Sequence, residues 1–136
     1  MNGKSFYVLN ISAAILVTLT DAAIYYFGCM AGGIPSTLSA IARLYIPKSG
    51  KINAAYLSWR AGTAGTGESI SAYIRVKDTT DYLIATLANT DAFKLFTNKR
   101  MNVPVILDDY IEIKIVCPTW VTNPGNVTLG GILWLE

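Results

Sequence analysis

The chain has 136 residues, enough for one domain with a real hydrophobic core. Apolar residues make up 52% of it, charged residues 15%, and the net charge is +2. So weak a positive balance does not argue for a nucleic-acid partner, and the absence of histidine removes the commonest general base and the commonest zinc ligand.

The first 28 residues read MNGKSFYVLNISAAILVTLTDAAIYYFG. Ser5 to Thr20 carry no charge, but Asn10, Ser12, Thr18 and Thr20 interrupt the run. It is too short and too polar to span a bilayer, and no membrane span is expected. Two strands are predicted over 6–12 and 14–20, and a third over 23–28. Residues 35–43, PSTLSAIAR, form the best helix candidate, with Ser36 as a cap.

Strands follow at 41–46, 52–60, 69–76, 82–88, 93–96, 103–107, 110–117 and 127–135, about one per ten residues. That spacing, without intervening helices, predicts an all-β sandwich or barrel. The turns have chemical reasons. Gly50 ends PKSG, GTAGTG at 62–67 reads as a flexible loop tip, KDTT at 77–80 is a polar connection, and Asp108-Asp109 makes a tight hairpin. Alternation places Ile70, Ala72, Ile74 and Val76 on one face of a strand, and Ile111, Ile113, Ile115 and Cys117 on one face of another. Runs such as YLIATLA and GGILWL are apolar on both faces, so a sandwich alone leaves one apolar face for another copy to cover.

Two resemblances bear on the fold. The elements VPVILDDYIEIKIV and NVTLGGILWL resemble the end of the trimeric jelly roll of the tumour necrosis factor and complement globular-head superfamily. Leu107, Asp109, Ile111 and Ile113 match its hairpin, with Asp108 where the family usually has Gly. Gly130, Gly131, Ile132 and Leu133 match its last strand. From Arg43 to Glu136 the chain also resembles head domains of phage structural proteins at fibre ends or on capsids. The matching blocks are YIPKSGKINAAYL, ESISAYIRVKDTTDYLIAT and DYIEIKIVCPTWVTNPGNVTLGG. The resemblances imply a homotrimeric jelly-roll β-sandwich on a virion. Residues 29–136 would form the head, and residues 1–28 would attach it to other virion proteins or exchange a strand with a neighbour.

Catalysis is not expected: serines abound, but no histidine activates one, and the carboxylates form no recognisable acid/base pair. No cofactor or metal is implied; GTAGTG lacks the lysine and helix of a phosphate loop, and Asp108-Asp109 reads as a solvated hairpin tip. Candidate ligand residues are Trp120, Thr122 and Asn123 in PTWVTNPG, with Trp59 and Arg60. An aromatic plate beside hydroxyls and amides suits a sugar ring, such as a host-surface glycan. The simpler reading is that Trp120 caps the core. Candidate interface residues are Tyr73, Tyr110, Val116, Ile132 and Trp134, since tyrosine buries a ring while satisfying its hydroxyl. Cys29 and Cys117 read as two buried thiols, with pairing left open. The alternatives to a virion protein are a carbohydrate-binding module using Trp120 and Trp59, and an extracellular filament subunit polymerising by donation of residues 6–20.

Overall fold

A computed structural model describes residues 6–28, 42–88 and 93–136. Among them there is no α-helix, and no helix long and apolar enough to cross a membrane. Ten strands account for most of the described chain: β1 (Tyr7–Thr18), β2 (Ile24–Phe27), β3 (Leu44–Tyr45), β4 (Gly50–Thr63), β5 (Ile70–Val76), β6 (Thr80–Leu87), β7 (Phe93–Asn98), β8 (Val103–Val105), β9 (Tyr110–Val116) and β10 (Gly125–Leu135).

The strands form two five-stranded antiparallel sheets that pack as a sandwich. Sheet 1 runs β1-β10-β4-β7, with β8 also paired to β4; sheet 2 runs β2-β9-β5-β6, with β3 also paired to β9. Every strand predicted from the sequence is present within a few residues, except that 6–12 and 14–20 are one continuous β1. No glycine or proline divides that run. A register irregularity against β10 between Ile15 and Thr18 takes up the bend. Of the predicted helix at 35–43, only Ala42 and Arg43 lie within the described residues, and Cys29 lies outside them.

The core fills the space between the sheets with the alternate side chains of each strand. From sheet 1 come Leu9, Ile11 and Ile15 of β1, Leu57 and Trp59 of β4, Phe96 of β7, and Val127, Leu129 and Leu133 of β10. From sheet 2 come Phe27 of β2, Ile70, Ala72 and Ile74 of β5, and Ile111, Ile113 and Ile115 of β9. Trp59 meets Phe96 edge to face at 6.2 Å. The period-2 patterns of β5 and β9 are the patterns that end up buried.

Three backbone features fix how the strands meet. Gly131 has φ +151°, and a Cβ there would stand 2.0 Å from the Tyr56 carbonyl oxygen, so only glycine lets β10 lie this close to β4. Asp108 has φ 70°, the left-handed conformation for which glycine is the usual choice, which Asp tolerates better than most residues. In the β5–β6 hairpin both Lys77 (φ 55°) and Asp78 (φ 60°) are left-handed, the pattern of a type I′ turn built without glycine.

Candidate functional site

The residues expected to hold a ligand do not converge on one open site. Trp59 is fully buried in the core, while Arg60, next along β4, points to the outer face of sheet 1. Trp120 is 5% exposed and belongs to the core cluster, and its N–H donates to Asp21 Oδ1 at 3.1 Å. Asn123 spends its side-chain amide on the Leu19 carbonyl at 2.8 Å, and Thr122 is exposed. The expected loop at 62–67 begins only after β4 ends at Thr63 and is bridged to this region: Thr66 N–H donates to the Thr122 carbonyl, and Val121 N–H to that of Thr66, both at 2.9 Å. Trp120 therefore caps one end of the sandwich, and its indole Nε1 has no hydrogen-bond partner.

The expected interface residues fall on opposite faces of the molecule. Ile132 and Trp134 lie on the outer face of sheet 1. Tyr73, Tyr110 and Val116 lie on the outer face of sheet 2.

The sheet 1 face is almost free of charge. Register sets its rows: Val8, Trp134 and Ala54; Asn10, Ile132, Tyr56 and Thr97; Ser12, Gly130, Ser58 and Leu95; Ala14, Thr128, Arg60 and Phe93. Arg60 is the one charged residue in these rows. Tyr56 (48%), Phe93 (54%), Val8 and Ile132 are exposed, and Phe6 stacks on Trp134 with ring centroids 4.4 Å apart. A cavity of about 180 Å³ lined by Ala54, Ala55, Tyr56, Lys99, Ile132 and Trp134 opens on this face.

The sheet 2 face is organised by ion pairs and rings. Lys114 Nζ lies 2.7 Å from Asp81 Oδ2, and 5.9 Å from the Tyr73 ring centroid. The Arg75 guanidinium donates to the Tyr26 hydroxyl and, at 2.7 Å, to the Asp78 carbonyl. Asp78 Oδ2 accepts from Arg43 Nη2 and from the Tyr110 hydroxyl, each at 2.9 Å. The Arg43 guanidinium carbon lies over the Tyr110 ring, 3.9 Å from its centroid.

Glu112 sits beneath this cluster. Its alternation on β9 points it outward, yet it is 0% exposed. On one side β9 pairs with β5, where Glu112 faces Arg75. On the other side lies the seam between two short strands: β2 ends opposite Ile113 and β3 begins opposite Ile111. Neither Glu112 oxygen accepts a hydrogen bond. Burial, followed by the nearby Asp78 carboxylate, pushes its carboxyl up to about 7; the Arg75 and Arg43 charges act against this. Asp78 goes the other way. Burial raises its carboxyl, but the hydrogen bonds from Tyr110 and Arg43 and the Arg43 charge outweigh that and hold it below the usual range. The sequence reading found no paired carboxylates; the fold brings the Glu112 and Asp78 charges, 34 positions apart in the chain, near enough to act on each other.

Cys117 is inert by comparison. It is buried, and burial followed by the nearby Asp21 charge pushes its thiol up to about 12. The expected solvated hairpin at Asp108-Asp109 is instead a turn between sheets: β8 pairs with β4 in sheet 1 while β9 lies in sheet 2, and Asp109 is buried, accepting from Ile106 N–H at 2.9 Å and lying 3.2 Å from Lys77 Nζ. Among the described residues no three metal-ligating side chains cluster.

No protein-family model matches the chain, and no curated protein matches its sequence.

Proposed function

We propose that this protein is a structural subunit of a virion, a jelly-roll head that assembles as a homotrimer through the outer face of sheet 1. The observation that carries this reading is the contrast between the two faces. Sheet 2 carries on its outer surface ion pairs satisfied within the chain, between which Ile24, Tyr45 and Leu83 are exposed. Sheet 1 presents Tyr56, Ile132, Trp134, Leu95 and Phe93 with one arginine among them. A second copy is the partner because the surface is short of charge as a whole: 15% charged residues against about a quarter in typical domains. A standard interface of about 800 Å² per copy is worth roughly 20 kcal/mol gross, before association costs.

The connectivity supports the jelly-roll part. The chain crosses repeatedly between the sheets, from β4 in sheet 1 to β5 and β6 in sheet 2, back to β7 and β8 in sheet 1, to β9 in sheet 2 and to β10 in sheet 1. The first and last strands are neighbours, as Greek-key closure requires. The virion assignment rests on the resemblance of residues 43–136 to phage head domains, and fibre tip, head fibre and capsid decoration all fit it.

The test has two arms. Tyr56→Glu combined with Ile132→Lys should convert the trimer to a folded monomer with an unchanged circular dichroism spectrum. Mass spectrometry of virus particles purified from the source culture should find the chain as a particle component. An unchanged oligomer in the double variant refutes the interface, and absence from particles refutes the assignment. A carbohydrate-binding module has less support, since Trp59 and Trp120 are buried. Binding to a glycan array that Trp120→Ala abolishes, with the oligomer intact, would favour it instead.

A further inference from the structure

The cluster around Glu112 lies on sheet 2, away from the proposed sheet 1 interface, and its hydrogen bonds do not close within the chain. Among the described residues five buried side-chain polar atoms lack a partner: both Glu112 oxygens, Arg43 Nε, Trp59 Nε1 and Trp120 Nε1. The two indole N–H groups are single donors on rings of the apolar core. The other three atoms stand together. Leu44 pairs with Ile111 and Tyr45 with Tyr110, so the same register carried back one residue sets Arg43 beside Glu112. Arg75 faces Glu112 from the other side, and the charges of both arginines act on its carboxyl.

Neither arginine bonds to it, because each is committed elsewhere. Arg43 Nη2 donates to Asp78 Oδ2 at 2.9 Å, which holds its guanidinium carbon over the Tyr110 ring. Arg75 gives Nη1 to the Tyr26 hydroxyl and Nη2 to the Asp78 carbonyl. A buried acceptor and a buried donor are thus left side by side. Leaving either unmet costs free energy, and buried polar groups in folded proteins are almost always met by protein or by ordered water.

We propose that a resident water molecule sits between Arg43 Nε and the Glu112 carboxyl, tying the segment before β3 to β9. The donor set selects water over an ion. A cation would suit Glu112 but meet the N–H of a guanidinium. An anion would suit Arg43 but face the carboxyls of Glu112 and Asp78. Water accepts from Arg43 Nε–H and donates its two protons to the carboxyl oxygens, about three bonds, the usual number for a buried water. A protonated Glu112 still offers its carbonyl oxygen. The indoles of Trp59 and Trp120 do not meet the same condition, since a buried water needs at least two polar partners. Gly28, which follows the last β2 pair with β9, leaves the place open to water: it has no side chain, and a Cβ there would collide with the Ala42 carbonyl oxygen.

The test uses the wild-type chain and Glu112→Leu. In a wild-type crystal structure that orders surface waters, a water should lie within about 3.2 Å of both Arg43 Nε and a Glu112 oxygen. In solution, the Arg43 Nε–H resonance should show a water cross-peak with the NOE and ROE signs of a long-lived bound molecule. Glu112→Leu removes the acceptors and should abolish that cross-peak, with the circular dichroism spectrum unchanged. A direct bond from Arg43 or Arg75 to Glu112 with no water between, an ion at the site, or no bound-water cross-peak in the wild type overturns the proposal. So does a cross-peak that survives Glu112→Leu. If Glu112→Leu does not fold, the wild-type crystal structure and cross-peak decide alone.

Discussion

Gly131 shows how much can depend on one residue without a side chain. A methyl group there would overlap the Tyr56 carbonyl, at a φ that side chains rarely adopt. Gly131→Ala should therefore destabilise the fold by about 2–4 kcal/mol, read as a lower urea midpoint, whereas Gly130→Ala, with its nearest foreign atom at 3.6 Å, should cost well under half as much. Glu112 has a different signature. Its carboxyl is raised in the folded chain relative to the unfolded one, so the folded state holds the proton more tightly. Its contribution is complete below the unfolded value near 4.5 and is lost as pH rises through about 7. Urea melts should show wild-type stability falling by up to about 3 kcal/mol between pH 4.5 and 8, and Glu112→Gln should remove most of that slope. A slope equal in both proteins would show that other groups set the pH dependence.

At the scale of elements, the fold rests on alternating faces brought together around Trp59 and Phe96. Phe96→Ala removes the ring that Trp59 packs against and should cost about 3–5 kcal/mol by thermal or urea denaturation, since β7 is an edge strand that contributes little else to the core. The strands themselves were legible in the sequence because half-buried strands repeat every two residues. Ile70, Ala72, Ile74 and Val76 announced β5 and its inner face before any coordinates. What the pattern could not reveal was burial imposed from outside the strand. Glu112 alternates outward like a solvent residue, yet Arg43, Arg75 and Asp78 gather over it from three other parts of the chain. Trp59 and Trp120 were harder still, because an aromatic beside polar residues reads alike as a sugar plate or a core cap until its neighbours are known. The five expected interface residues show the same limit. Alternation gave Tyr73, Tyr110 and Val116 faces on their strands, whereas GGILWL is apolar on both faces, and only the sheet order shows that Ile132 and Trp134 face away from the other three.

At the scale of the whole molecule, the two outer surfaces divide the work. On sheet 2 charges pair across strands and rings lie against cations. Sheet 1 presents apolar rows and a cavity, which the proposed trimer would cover with a neighbouring copy. The most direct test is the mass of the purified chain by light scattering during size exclusion, repeated on dilution to low micromolar concentration. The trimer account gives a species of three times 14.7 kDa that persists on dilution and is lost in the Tyr56→Glu, Ile132→Lys variant. A stable, folded and soluble 14.7 kDa monomer of the unmodified chain would contradict it.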